Sequence, residues 1–175
     1  TVLAIAKNRG EEVSRVDVQK AFDAARPAKG DAILIATGWG DQPYGESYVL
    51  DSPHLNLEAA QYLAPRMNDN QNDLLLIDTA LVGWPDKHLM PEWCSFLPPP
   101  PAESAEARMY LHLYDHEKAK KDFAVEIELA RAGITTVRKL VHCGQIKKDK
   151  IKIIVSPLKV VRGVASTCRV VALED

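Results

Sequence analysis

The sequence predicts an α/β fold: a mixed β-sheet with flanking helices and antiparallel strands towards the C-terminal end. Three observations lead there. From Val2 to Asp78 short apolar runs alternate with amphipathic stretches, the strand-helix-strand rhythm of an α/β sheet. The run Ala32 to Ala36 carries no polar alternation, as a central strand covered on both faces would read. Beyond Gly133 the chain turns to strand-like runs joined by short turn signals, the pattern of an antiparallel ending.

Taken in order, Val2 to Ala6 is an apolar run ended by Lys-Asn-Arg-Gly and reads as a strand entering a turn. Ser14 and Asp17 have capping-box spacing, and Val18, Ala21, Phe22 and Ala25 recur at helical spacing, which predicts a helix over 16–26 stopped by Pro27. After Ala32 to Ala36 comes Thr37-Gly38-Trp39-Gly40, a loop. Asn56 is placed to cap a second helix whose Leu55, Ala59, Tyr62 and Leu63 share a face. Asp73 to Asp78 supplies a further strand. From Thr79 to Pro101 prolines, including four at 98–101, exclude helix and central strand. A loop of that length is uncommon unless it packs over a site or a partner. Residues 103–132 favour helix, with Phe123, Ile127 and Ala130 on one stripe and Gly133 as the residue after its end. Ile134 to Val137, Ile151 to Val155, Leu158 to Val161 and Arg169 to Leu173 are the closing strands, the last three joined by turns at Ser156-Pro157 and Gly163.

A chain of 175 residues fits one domain, 1–175, able to hide about 70% of its unfolded surface. With 46% hydrophobic and 26% charged residues its composition is that of a globular protein. The formal charge of -2 gives no field to gather nucleic acid or an anionic membrane. Small molecules and proteins are the expected partners, with no nucleic acid and no membrane. The basic stretch Lys147 to Lys152 reads as a solvated turn entering a strand. Three cysteines without a Cys-x-x-Cys pair disfavour a disulfide framework and suit a reducing compartment. No apolar run reaches the ~20 residues needed to span a bilayer. The expected location is cytoplasmic.

Among residues that carry chemistry, Trp39, Trp84 and Trp93 stand in or beside loops, where aromatic rings suit a ring-shaped ligand, although core packing is the plainer role for each. Asp78, at a strand end, is a candidate for the mouth of a pocket, with capping of the turn that follows as the plainer account. His112 and His116 sit one helical turn apart and are the weak metal candidates, because a third ligand is missing. No Gly-x-Ser-x-Gly motif surrounds a serine such as Ser104 or Ser156. His142 and Cys143, adjacent on an expected strand, would point to opposite faces and make no dyad. Thr1 stands just before an apolar strand, which suits truncation better than an N-terminal nucleophile.

Several stretches in common order carry a family resemblance: Gly30-Asp31-Ala32-Ile33-Leu34-Ile35-Ala36-Thr37-Gly38-Trp39, Leu57-Glu58-Ala59-Ala60-Gln61-Tyr62-Leu63, Ile77-Asp78-Thr79, Ala132-Gly133-Ile134, Ser156-Pro157-Leu158-Lys159 and Arg169-Val170-Val171-Ala172. Together they resemble the metal-dependent cyclase and kynurenine formamidase-type hydrolases over the chain outside about 85–120. The resemblance implies a swivelling β/β/α-like fold with 85–121 as a Pro-rich loop and helical insertion. It also implies a divalent metal, zinc or manganese, held by a His-x-Gly-Thr-His-x-Asp motif that this sequence does not contain. The expectation is a domain incomplete at its N-terminus: a fragment, one half completed by another chain, or a lineage that lost the motif. The family keeps a histidine seven residues before the glycine matching Gly133 and a glutamate twelve residues after that histidine. Those places hold Glu126 and Arg138. Glu126 is therefore the implied catalytic acid/base, and Trp39, Asp78, Trp84 and Arg138 the implied substrate-pocket residues. Arg138 stays cationic and cannot ligate a metal.

The implied function is the larger part of a metal-dependent hydrolase that cleaves an amide or lactone, completed by a segment or partner carrying the metal ligands. The alternative is a catalytically silent member acting as a structural or interaction subunit. A homo- or hetero-oligomer is expected in either case. Two structural expectations follow: Glu126 and Arg138 pair in one pocket, and Val2 to Ala6 is not a free edge.

Overall fold

A computed structural model describes residues 1–83, 123–161, 163 and 165–174. Its framework is a parallel sheet of β1 (Val2–Ala4), β3 (Ile33–Ala36), β5 (Leu74–Ile77) and β6 (Thr135–Val137), in the order β1-β3-β5-β6. A short parallel pair, β2 (Glu12–Val13) with β4 (His54–Leu55), lies apart from it. Among the described residues antiparallel pairing is confined to the hairpin β7 (Lys152–Pro157) with β8 (Cys168–Leu173). The fold is α/β with parallel and antiparallel sheets and flanking helices, as the sequence predicts.

Helices α1 (Arg15–Ala25), α3 (Leu57–Asp69) and α4 (Ala124–Arg131) pack on one face of the parallel sheet. Each is fixed by local chemistry. Ser14 and Asp17 form the complete capping box that starts α1, and the Asn56 side chain accepts the Ala59 amide that starts α3. Gly133 takes φ 75° after α4, the left-handed conformation that closes a helix with least strain. Val18 and Phe22 of α1, Leu63 and Met67 of α3 and Leu129 of α4 meet Leu3, Ile35, Leu75 and Ile77 of the strands. Alternation puts Val2, Leu34 and Leu76 on the opposite face, where Ile153, Val155 and Val170 of the hairpin cover them. The layers are thus hairpin, sheet and helices, in the manner of a β/β/α arrangement.

Three readings of the sequence are corrected. Leu158 to Val161 is not a strand: it lies in the hairpin connection, with Leu158, Val160 and Val161 exposed to 65%, 54% and 82%. An apolar run becomes a strand only where a neighbouring strand offers pairing, and none does here among the described residues. Ser156 and Pro157 belong to β7 rather than to a turn. His142 and Cys143 are not strand residues, since His142 is left-handed with φ 62° and Cys143 opens a 3-10 turn.

β1 is outermost in the sheet order, yet the Val2 amide donates to the Asp149 carbonyl at 2.8 Å on its outer side. Lys150 in the same basic stretch pairs with Asp31 at 2.8 Å, and the stretch enters β7 at Lys152. No helix among the described residues is long and apolar enough to cross a membrane.

Candidate functional site

The loop after β3 is organised by a carboxylate from the next strand. Asp78 at the end of β5 is fully buried. Both its oxygens accept the Thr37 amide at 3.0 Å, Oδ1 accepts the Thr37 hydroxyl at 2.7 Å, and Oδ2 accepts the Gly38 amide at 2.9 Å. A buried carboxylate needs such donors, because an unpaired one would cost several kcal/mol in desolvation. Asp78 therefore clasps the loop that precedes it in the neighbouring strand, which corrects the reading that it caps the turn that follows. Its acceptors are already spent on the backbone.

Trp39 is buried in this loop, donates its indole N–H to the Tyr48 carbonyl at 2.9 Å and stacks on the Tyr48 ring. Tyr48 lies in the short helix α2 (Glu46–Leu50), and its hydroxyl donates to the Asp78 carbonyl oxygen at 3.1 Å. Burial first, with Tyr44 and Asp78 nearby, pushes the Tyr48 phenol well above its ordinary range. Tyr48 is neutral and structural. Sequence reasoning missed it, and the available signal was the Tyr44/Tyr48 pair one helical turn apart beside a tryptophan.

Two of the cavities bear on the site, one beside this loop and one under the hairpin. A smaller one of about 320 Å³ is lined by Trp39, Gly38, Lys7, Arg9, Ser47 and Asp51 at the carboxyl ends of β1 and β3. There Arg9 pairs with Asp51 at 2.6 Å. The larger, about 700 Å³, lies between the hairpin and the sheet, with Val137, Ile153 and Val170 as apolar wall over the buried Leu34 and Leu76, and Arg138, Lys139 and Arg169 as cations. Trp39 and Arg138 thus line different cavities.

The loop from Arg138 to Gln145 stands against the Thr37–Asp41 loop. The Lys139 amide donates to the Thr79 carbonyl at 3.0 Å and the Gly144 amide to Asp41 Oδ2 at 3.2 Å. Gly40 permits the approach: a Cβ there would lie 2.9 Å from Asp78 Cβ and inside the Leu140 carbonyl. Cys143 is buried beneath this junction, and burial, then Asp78 and Asp41, push its thiol up to about 12. Such a thiol is not a nucleophile at neutral pH.

Glu126 sits in the helical layer, where its Oε1 accepts the Gly83 amide at 3.1 Å and its Oε2 is buried with no partner among the described residues. Arg138 lines the cavity on the hairpin side. The two form no ion pair among the described residues, so the expected pairing is not made; sequence spacing placed them on one path, and the sheet lies between their layers. Trp84, Trp93, His112 and His116 lie outside the described residues.

A divalent metal is implied by resemblance, and the described residues do not fit one. No group of three His, Cys, Asp or Glu side chains among them is placed to hold a metal ion. Asp78 is saturated by backbone donors and Glu126 stands without a second ligand.

Fold and cavities define an α/β protein with one open space beside the carboxyl ends of a parallel sheet, where such sheets place their ligands, and another between the sheet and its hairpin. Residues 1–80 match the family model described as "Putative cyclase". The N-terminal part of the chain is thus similar to that family, and the match takes in the Gly30–Trp39, Leu57–Leu63 and Ile77–Thr79 stretches. No curated protein matches the chain.

Proposed function

We propose that this chain is the larger part of a cyclase-type hydrolase acting on an amide or a lactone, with its metal-binding residues supplied by another polypeptide segment. The observation that carries this reading is the cyclase match over residues 1–80. That stretch builds three of the four strands of the main parallel sheet and the Asp78-clasped loop beside the smaller cavity. The contribution of the described residues is to bind and orient: a rigid loop wall, an apolar surface and fixed cations. Glu126 remains the acid/base candidate, its free oxygen at the end of the Leu81–Gly83 turn.

One observation favours a second reading, a catalytically silent binding subunit. Arg138 occupies the place the resemblance gives to a metal-binding carboxylate, and a guanidinium repels a cation rather than holding it. The experiment is to isolate the native complex through a tag on this chain, measure its metal content, and assay formanilide and dihydrocoumarin hydrolysis with and without a chelator. Chelator-sensitive hydrolysis of either compound is expected. A complex that carries far less than one metal per chain and cleaves neither compound would leave the silent subunit as the answer.

A further inference from the structure

We propose that the cavity between the β7–β8 hairpin and the parallel sheet is a binding site for a small amphipathic carboxylate, an acid whose charge sits on Arg138, Lys139 and Arg169 and whose ring or chain lies on the half-buried Val137, Ile153 and Val170. The cavity, about 700 Å³, is in the range that encloses small organic ligands. Three cationic side chains line it, and none of the three has an ion pair or hydrogen-bonded side-chain partner among the described residues. Elsewhere the described cations that approach carboxylates are paired: Lys7 with Asp17, Arg9 with Asp51 and Lys150 with Asp31. The carboxylate in the lining, Glu174, is engaged by the Lys147 and Lys148 amides at 2.7 and 3.0 Å. Both amides donate to Oε1 and hold its pKa below the ordinary range, and among the described residues Glu174 forms no ion pair with Arg138, Lys139 or Arg169.

The backbone of the cationic wall is held in an unfavourable conformation. Lys139 and His142 both take left-handed φ angles, 61° and 62°, which non-glycine residues adopt at a cost of about 1 kcal/mol or more each. Contacts on both sides fix them there: Lys139 N–H to Thr79, Gly144 N–H to Asp41, and the Leu140 carbonyl packed on Gly40. Strain held by the surrounding structure is a frequent mark of a binding loop. Charge alone would suit any anion, but the wall facing these cations is aliphatic, and that pairing selects a carboxylate with an apolar body. The site holds whether or not its ligand is turned over.

Calorimetric titration of the full chain with phenylacetate, phenylacetamide and acetate separates the two contributions, since the amide lacks the charge and acetate lacks the ring. Phenylacetate is expected to bind at least tenfold tighter than either, a difference of about 1.4 kcal/mol. Its affinity should fall as salt is raised while that of the amide does not. The double variant Arg138→Gln, Arg169→Gln should lose that preference for acid over amide with an unchanged melting temperature, because both residues are exposed. Equal affinity for acid and amide, an undiminished preference in the double variant, or no saturable phenylacetate binding up to about 10 mM would overturn the proposal. Discriminating binding by the chain, with no hydrolysis by the native complex, would remove the activity proposed above and leave this site standing. Hydrolysis of the neutral test compounds without discrimination would do the reverse.

Discussion

Replacing Asp78 tests whether a single buried carboxylate holds the loop that walls the smaller cavity. In Asp78→Ala the Thr37 amide, the Thr37 hydroxyl and the Gly38 amide lose their acceptor at once. Hydrogen bonds to a charged group are each worth about 1.5–3 kcal/mol. Their sum is reduced by the several kcal/mol that burying the carboxylate itself costs. The net loss expected is about 4 kcal/mol, or roughly 10 °C in melting temperature for a chain of this size. Asp78→Asn should lose only about 2 kcal/mol. Its amide can turn its oxygen to Gly38 and its NH2 to the Thr37 hydroxyl, which rotates to accept. Urea denaturation followed by circular dichroism at neutral pH gives both numbers. A loss below about 1 kcal/mol for Asp78→Ala would refute the clasp, as would an asparagine variant less stable than the alanine one.

Four shorter predictions follow from the same geometry. Gly40→Ala drives a Cβ into the Leu140 carbonyl and to 2.9 Å from Asp78 Cβ, so it should cost about 2–3 kcal/mol by overpacking; a stability within about 0.5 kcal/mol of the parent would show that the two loops are not in contact. Cys143, buried with its thiol pushed up to about 12, should react with a disulfide reagent at pH 8 far more slowly than the half-buried Cys168, and equal native-state rates would contradict its burial. Burial opposes the charge of Asp17, but hydrogen bonds from Lys7 and Ser14 outweigh it and hold the carboxyl at about 2, against 3.8 for the free group. The stability it gives is therefore fully present above about pH 4 and is lost as pH falls towards 2, so Asp17→Asn should flatten the drop in urea midpoint between those values. Finally, the 175-residue chain alone, dialysed against zinc or manganese, should retain far less than one metal ion per chain by elemental analysis; about one would point first to His112 and His116.

The sequence by itself determined the elements whose signals are local. Ser14 with Asp17 and Asn56 with Ala59 are three residues apart, and a cap is made by the same few atoms whatever surrounds them. Gly133 marked the end of α4 because its left-handed φ is a property of one residue. Apolar runs without alternation at Ala32 to Ala36 and Leu74 to Ile77 found the central strands, which are covered on both faces. The cyclase resemblance was legible in those same strands and in the loop between them.

What the tertiary structure alone decided lies across long separations or across the sheet. Leu158 to Val161 carries the apolar residues of a strand and forms none, since pairing depends on a neighbour that the run cannot specify. Asp78 reads as a strand-end carboxylate, yet its role is set by the Thr37 and Gly38 amides some 40 residues earlier, brought beside it only when β3 and β5 pair. Glu126 and Arg138 are separated by one helix end and one short strand, and the fold puts one in the helical layer and the other on the hairpin side. A helix-to-strand connection carries the chain from the covering layer into the sheet, so nearness along the sequence says nothing about which face a side chain reaches. The cationic cavity has the same origin: Arg138 follows β6 and Arg169 lies in β8, and only the folding of the hairpin over the sheet makes them walls of one space.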